Sequence, residues 1–303
     1  METLILTIIT AATPLLLAAI GELVVERSGV LNLGVEGMMA VGAVCGFAAA
    51  VTTGSPYVGV VAAALAGMLL SALFGGLVLW LATNQVATGL ALTLLGLGLS
   101  GLIGEPFVGQ PGVKLERIHI PGLTDIPFVG PILFGQDFLI YLSIALVAFV
   151  AWLLFRTRTG LVIRAVGNSH VSAHALGYPV LKVRFGCVLF GGLCAGLAGG
   201  YLSLAYTPQW IENMTGGRGW IALALVVFAS WRPWRVLAGA WLFGTVMILG
   251  LEAQARGFEL PAQFLSALPY LVTILALVLI SRSRRETLVN TPADLGRPFV
   301  PER

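Results

Sequence analysis

Charge is what this sequence has least of. Only 10% of its 303 residues are Asp, Glu, Lys or Arg, where a soluble domain is nearer a quarter. Mean hydropathy is +0.95. A chain this apolar has no polar coat to show water, so lipid must be the solvent for most of it. Lysine is reduced to Lys114 and Lys182, and no G-x-x-x-x-G-K-[ST] occurs. That excludes ATP hydrolysis by the P-loop route within this chain. Neither H-E-x-x-H nor C-x-x-C is present, and the three histidines, His119, His170 and His174, fall in segments between apolar runs. No metal site or Ser/His/Asp triad is expected from them. Cys45, Cys187 and Cys194 lie inside apolar runs and read as core packing rather than as ligands or a disulfide. The net charge of +3 is too small to suggest nucleic acid. The first residues, METLILTIIT, carry an acid and no basic stretch, so no cleaved signal peptide is expected.

What is present is mostly membrane helix. Apolar runs fall at 3–21, 35–53, 57–81, 86–104, 137–155, 185–205, 219–231, 236–250 and 266–281. A span needs roughly 20 such residues, so the fold expected is all-α, a polytopic bundle of about 8–10 transmembrane helices. Residues 1–285 form one transmembrane domain, and the polar, proline-containing tail 286–303 is expected to be disordered. The run 219–231 is short. It reads either as a re-entrant half-helix or as a true crossing with Arg232 and Arg235 at a surface. The second is preferred, because each arginine at membrane depth costs roughly 2.5–3.5 kcal/mol.

Basic residues set the orientation. Residues 156–184 hold Arg156, Arg158, Arg164, Lys182 and Arg184 with no Asp or Glu, and the tail begins Arg282, Arg284, Arg285. Both should be cytoplasmic, as should the Arg232/Arg235 turn. Counting back places the loop 105–136 and the N-terminus outside. The outer loops carry Glu105, Glu116, Asp125, Glu212, Glu252 and Glu259. The proline-rich 105–136 loop should cap the outer mouth. Small residues repeat every fourth position at Gly42/Gly46/Ala50, Gly67/Ser71/Gly75, Gly96/Ser100/Gly104 and Gly192/Gly196/Gly200. Each repeat makes a smooth stripe on which another helix can pack closely.

Three polar islands interrupt the apolar pattern. In GLVIRAVGNSHVSAHALG, residues 160–177, Asn168 or Ser169 can cap a short helix and Gly177 can end it. Such a helix either docks into a partner's groove or lies on the membrane surface. In residues 20–38, Glu22, Glu26, Asn32 and Glu36 border apolar runs. Glu26 and Arg27 read as a surface turn. Glu36 either complements the dipole at the start of its helix or lines a substrate path. In residues 82–93, Asn84 and Gln85 suit helix caps, while Thr88 and Thr93 either pack or line a path.

GELVVERSGVLNLGVEGMM resembles the N-terminal signature of permeases in bacterial nucleoside and simple-sugar ABC importers. The likeness continues through NQVATGLALTLLGLGLS, LTDIPFVGPILFGQDFLIYLSI, RTRTGLVIRAVGNSHVSAHALGYPVLKVR, GGRGWIALALVVFASWRPWR and LPYLVTILALVLI, in order along nearly the whole chain. The family also covers ribose and branched-chain amino acid permeases. The resemblance implies a multi-pass permease of the bacterial inner membrane that pairs with a second homologous permease. It also implies two ATPase subunits, which bind the ATP, and an external substrate-binding protein, with no cofactor on this chain. Residues 164–177 then occupy the place of the ATPase-coupling helix, with Arg164, Asn168, Ser169, His170, Ala173, His174, Leu176 and Gly177 as contact candidates. Relatives often carry an acid after Asn168, where this chain has Ser169 and His170. Glu36, Asn32, Thr88 and Thr93 are the candidates for the substrate path. An ion-driven secondary transporter is the alternative, but it needs ionisable groups at mid-membrane, and the spans within 57–81 and 185–281 hold almost none.

Overall fold

The computed structural model describes residues 2–255, 267, 268, 271, 272, 274, 278 and 290–300. These residues form eleven α-helices and no strand: α1 (Glu2–Arg27), α2 (Val35–Thr53), α3 (Pro56–Gly75), α4 (Gln85–Gly104), α5 (Val129–Phe134), α6 (Phe138–Arg156), α7 (Arg158–Asn168), α8 (His170–Ala175), α9 (Val180–Tyr201), α10 (Arg218–Phe228) and α11 (Pro233–Ala255). A π-helical turn extends α3 to Trp80, and another extends α9 to Tyr206. Seven of these helices are long and apolar enough to cross a membrane. The run at 266–281 falls mostly outside the described residues, as do Glu259, Arg282, Arg284 and Arg285.

Local chemistry sets the helix ends. The side chains of Asn84, Asp137, Thr157 and Ser169 accept the first free amides of α4, α6, α7 and α8. Each removes an orphaned donor at a helix start. Gly54, at φ +70°, ends α2, and Pro56 opens α3.

The small-residue stripes meet as glycine-to-backbone contacts. Gly42 and Gly67 both face the backbone of Gly196, Gly96 faces Gly37, and Gly199 faces the carbonyl of Met39. A Cβ at any of these positions would strike main chain. Helices α2, α3 and α9 therefore pack at backbone distance, where dispersion rather than a hydrophobic force holds them. Leu65, Leu69, Leu73, Leu94 and Leu102 on α3 and α4 point outward, as lipid-facing side chains must.

The passage at 219–231 is a crossing, as preferred from sequence, but its helix covers only part of it. Helix α10 has 11 residues, about 17 Å of rise, against a hydrocarbon core of roughly 30 Å. The chain still passes from one end of the bundle to the other. Trp210 lies against Gly104 at the far end of α4, and Trp231 lies against Arg27 at the end of α1. Residues 207–217 make the first half of the passage without helix, and α10 makes the second. Non-helical backbone at this depth is tolerated where protein encloses it or a cavity lies beside it.

The basic segments gather at one end. Gly167 faces the Arg27 carbonyl, Arg27 donates to the carbonyls of Trp231 and Asn290, and the residues 156–184 surround them. Loop 105–136 lies at the opposite end, where Leu115 N–H donates to the Leu204 carbonyl and Gly112 meets Pro208.

Two expectations about this basic end are corrected. Glu26 and Arg27 are not a surface turn: they are 1% and 6% exposed. Glu26 Oε2 accepts the Trp231 indole N–H at 2.6 Å, a partner 205 residues away that local composition does not reveal. Nor is the tail disordered across residues 290–300. Asp294 N–H donates to Gly167 O at 3.0 Å, and Gly296 N–H to Gly29 O at 3.1 Å. Low hydrophobicity argues for disorder, but backbone hydrogen bonds and one buried charge hold this segment in place.

Candidate functional site

Residues 28–34 link α1 to α2, and four side chains shape this link. Asn32 Oδ1 accepts the Gly34 N–H at 2.9 Å, closing a tight local turn. The Asn32 N–H donates to Glu22 Oε1 at 3.2 Å. Gln85 Oε1 accepts the Leu31 N–H at 2.8 Å. Thr93 Oγ1 donates to Leu33 O at 2.9 Å. Glycines 89 and 96 let α4 lie against the link and the start of α2.

Glu36 follows directly. It is 4% exposed, and both its carboxylate oxygens are engaged: Oε1 accepts Gly217 N–H at 2.8 Å and Oε2 accepts Gly219 N–H at 2.6 Å. Helix α10 has no side-chain cap of its own and starts from Gly217 at φ +81°. Glu36 supplies the missing acceptors, and its charge meets the positive end of that helix. The dipole it serves thus belongs to α10, across 181 residues of sequence, as well as to its own helix. The rise of α10 places this junction roughly midway through the bundle.

Of the four path candidates, Glu36, Asn32 and Thr93 converge on this junction. Their side-chain oxygens are engaged with backbone, and Asn32 Nδ2 lies 3.5 Å from the Met38 sulfur. Thr88 stands apart and half-buried, its hydroxyl 2.9 Å from that of Thr83. Arg218 escaped the sequence reading. It is half-buried at the first residue of α10, donates to the carbonyls of Met214 and Thr215, and lies 5.5 Å above the Tyr206 ring. The signal that could have found it is an arginine at the edge of an apolar run, flanked by glycines in GGRGW.

The basic end carries the second site. Ser169, rather than Asn168, caps α8, with its Oγ accepting Ser172 N–H at 3.2 Å. Gly177, at φ +86°, ends the turn. Asn168 is exposed at the end of α7, and His174 is exposed beside the Phe299 ring. Leu176 is 76% exposed and Val171 66%, so α8 presents an apolar edge outward. Arg164 is half-buried with its guanidinium 5.2 Å from the Phe155 ring.

His170 and Ala173 face inward and are buried. Ala173 packs with Val166, Val180 and Phe299. His170 Nδ1 lies 2.8 Å from Asp294 Oδ2, and the same oxygen accepts the His170 backbone N–H at 2.9 Å. Burial and the Arg184 guanidinium hold the imidazole pKa below its usual value, against the opposing pull of Asp294. Arg184, counted in sequence among the surface basic residues, is fully buried. It donates to Ser28 O and Arg297 O, each at 3.1 Å. Among the described residues no cluster of His, Cys, Asp and Glu could hold a metal ion.

Comparison with known proteins agrees with this architecture. The family described as the branched-chain amino acid transport system permease component matches residues 4–278. A putative glucose ABC transporter permease of Haloferax volcanii is 42% identical, covering 89% of this chain and 88% of its own. A guanosine ABC transporter permease of Bacillus subtilis is 33% identical, covering 98% and 97%. A nucleoside ABC transporter permease of Lactococcus lactis is 31% identical over 92% of each. No solved structure matches the chain. With seven membrane-length helices, a broken crossing and a family match over nearly its whole length, the chain belongs to the permease components of the branched-chain amino acid transport family.

Proposed function

We propose that this chain is one of two homologous permeases in an ABC importer for nucleosides or related simple sugars, in a bacterial inner membrane. The observation that carries the reading is the similarity to guanosine, nucleoside and glucose ABC permeases over 89–98% of this chain. In this reading residues 156–184 are cytoplasmic and α8 docks on an ATPase subunit through Leu176 and Val171. Two such ATPases bind and hydrolyse the ATP. A substrate-binding protein delivers from the side of loop 105–136. The path runs beside the junction of Asn32, Glu36, Thr93 and α10, with Thr88 nearer the start of α4.

The ion-driven alternative is disfavoured. The relatives that match nearly the whole chain are ABC permeases, and the carboxylate at the junction, Glu36, has both oxygens bound to backbone amides. Reconstitution in liposomes with the cognate ATPase and binding protein tests the choice. Uptake of labelled guanosine or glucose should require ATP and all components. Uptake by this chain with no ATPase present sinks the importer reading.

A further inference from the structure

We propose that residues 290–300 form a tie that carries motion of α8 to the broken crossing, with Asp294 as its positioning residue. The proposal rests on the reading of α8 as the ATPase-docking helix.

The tie is anchored at both ends. At α8, Asp294 Oδ2 accepts the first backbone N–H of the helix, that of His170, and lies 2.8 Å from its Nδ1. Nδ1 thus faces an acceptor, Asp294 Oδ2, and a donor, Arg184 Nη2, and the ring tautomer decides which of the two it bonds. The Asp294 N–H holds Gly167 O at the end of α7. Phe299 lies beside α8, with its ring centroid 5.2 Å from that of His170 and 5.3 Å from that of His174. At the other anchor, Gly296 N–H donates to Gly29 O. Arg184 joins the two, with Nη1 on Arg297 O, Nε on Ser28 O and Nη2 3.2 Å from His170 Nδ1.

Gly29 opens the link that ends at Glu36, and Glu36 caps α10. A displacement of α8 thus has a route made of hydrogen bonds joined by short runs of backbone: His170 to Asp294, residues 294–296, Gly296 to Gly29, residues 29–36 with their turn closed by Asn32 on Gly34, and Glu36 to the amides of Gly217 and Gly219. The hydrogen bonds along it that span the chain are 2.6–3.1 Å long. In a low-dielectric interior such bonds are strong and resist being stretched one at a time. Asp294 also offsets the charge of Arg184, and a buried charge that loses its counterpart is costly. Moving the tail without moving α8 and the link would break several of these contacts at once. A terminal segment that only closed the end of the bundle would need no acid against the first amide of α8.

The test uses the complete complex of both permeases and both ATPases in liposomes with the binding protein. The variants are Asp294→Asn, Asp294→Glu and a chain ending after residue 289. The readout is substrate imported per ATP hydrolysed, which a loss of stability alone does not move in complexes already assembled. Asp294→Asn and the shortened chain should keep their ATPase on co-purification and lose about tenfold in the ratio, within the usual size of site–site coupling. Asp294→Glu, which keeps the charge, should recover most of it. An unchanged ratio for both Asp294→Asn and the shortened chain overturns the tie and leaves the segment a static brace. Loss of the ATPase from either also overturns it, because the tail would then belong to the docking surface. Failure of the unmodified complex to import with ATP removes the functional reading, and the tie with it, so the two failures are told apart.

Discussion

Glu36 has a long-range task at close quarters. Its two oxygens satisfy orphaned amides of a helix that begins inside the bundle. Glu36→Gln keeps one acceptor and removes the charge. A charge-assisted hydrogen bond of this kind is worth about 1.5–3 kcal/mol. We expect the complex to assemble and ATP-dependent uptake to fall severalfold. Unchanged uptake would reduce Glu36 to a helix end with no influence on transport. Leu176 tests the other site: with 76% of its surface exposed, Leu176→Asp should leave the chain folded and inserted while ATPase co-purification is lost. Ala173→Asp differs, because Ala173 is in a small core with Val166, Val180 and Phe299. An unpaired charge there is costly, and this variant should lower thermal stability whether or not an ATPase is present. The sequence named both residues as contact candidates. Nothing in their spacing told the outward one from the inward one, because that depends on where α9 and the tail lie.

His170 adds a pH dependence. Its folded pKa is depressed by burial and by Arg184, with Asp294 opposing and Arg297 adding to the depression. The fold therefore favours the neutral ring. The stability this contributes is complete above the free imidazole value of 6.5 and is lost as pH falls below it toward the folded pKa. Melting temperature should drop between about pH 8 and about pH 5, and the drop should be smaller in His170→Gln. Equal drops in both proteins would remove His170 as the cause.

At the scale of elements, the α2, α3 and α9 packing depends on glycine. Gly67 faces the Gly192 carbonyl and the Gly196 backbone, so Gly67→Leu must push two helices apart. Overpacking of this kind costs roughly 1–3 kcal/mol. A lower melting temperature and less assembled complex are expected, while the same change at Gly98, where nothing lies within 4 Å, should be tolerated by the isolated chain. Equal effects at the two sites would contradict the packing. The four-residue stripes were legible in sequence because periodicity along one helix is a local property. Their partners, Gly37 and Met39 among them, were not, since pairing is decided by how helices cross. The break before α10 was half legible: the run was visibly short, but the nonhelical stretch that completes the crossing has no hydropathy signal.

At the scale of the whole molecule, the basic segments share one end and loop 105–136 takes the other. With residues 156–184 cytoplasmic, a cysteine placed at the exposed Tyr178 should react with a membrane-impermeant reagent only in inside-out vesicles. One at the exposed Gln110 should react in intact cells. The reverse pattern at either position would overturn the orientation.

The solvent, the helical class, the rough number of crossings and the family motifs were all determined by the sequence alone. Each follows from composition or from patterns shorter than a helix, and lipid makes those patterns strict by forbidding unsatisfied backbone. Tertiary structure alone decided which acids are buried, that Glu36 caps a helix far along the chain, and that a polar tail docks at Asp294. Those outcomes rest on pairs separated by 124–205 residues. Such pairs form only where the folded bundle brings a donor to an acceptor, and no local property of the chain specifies that meeting.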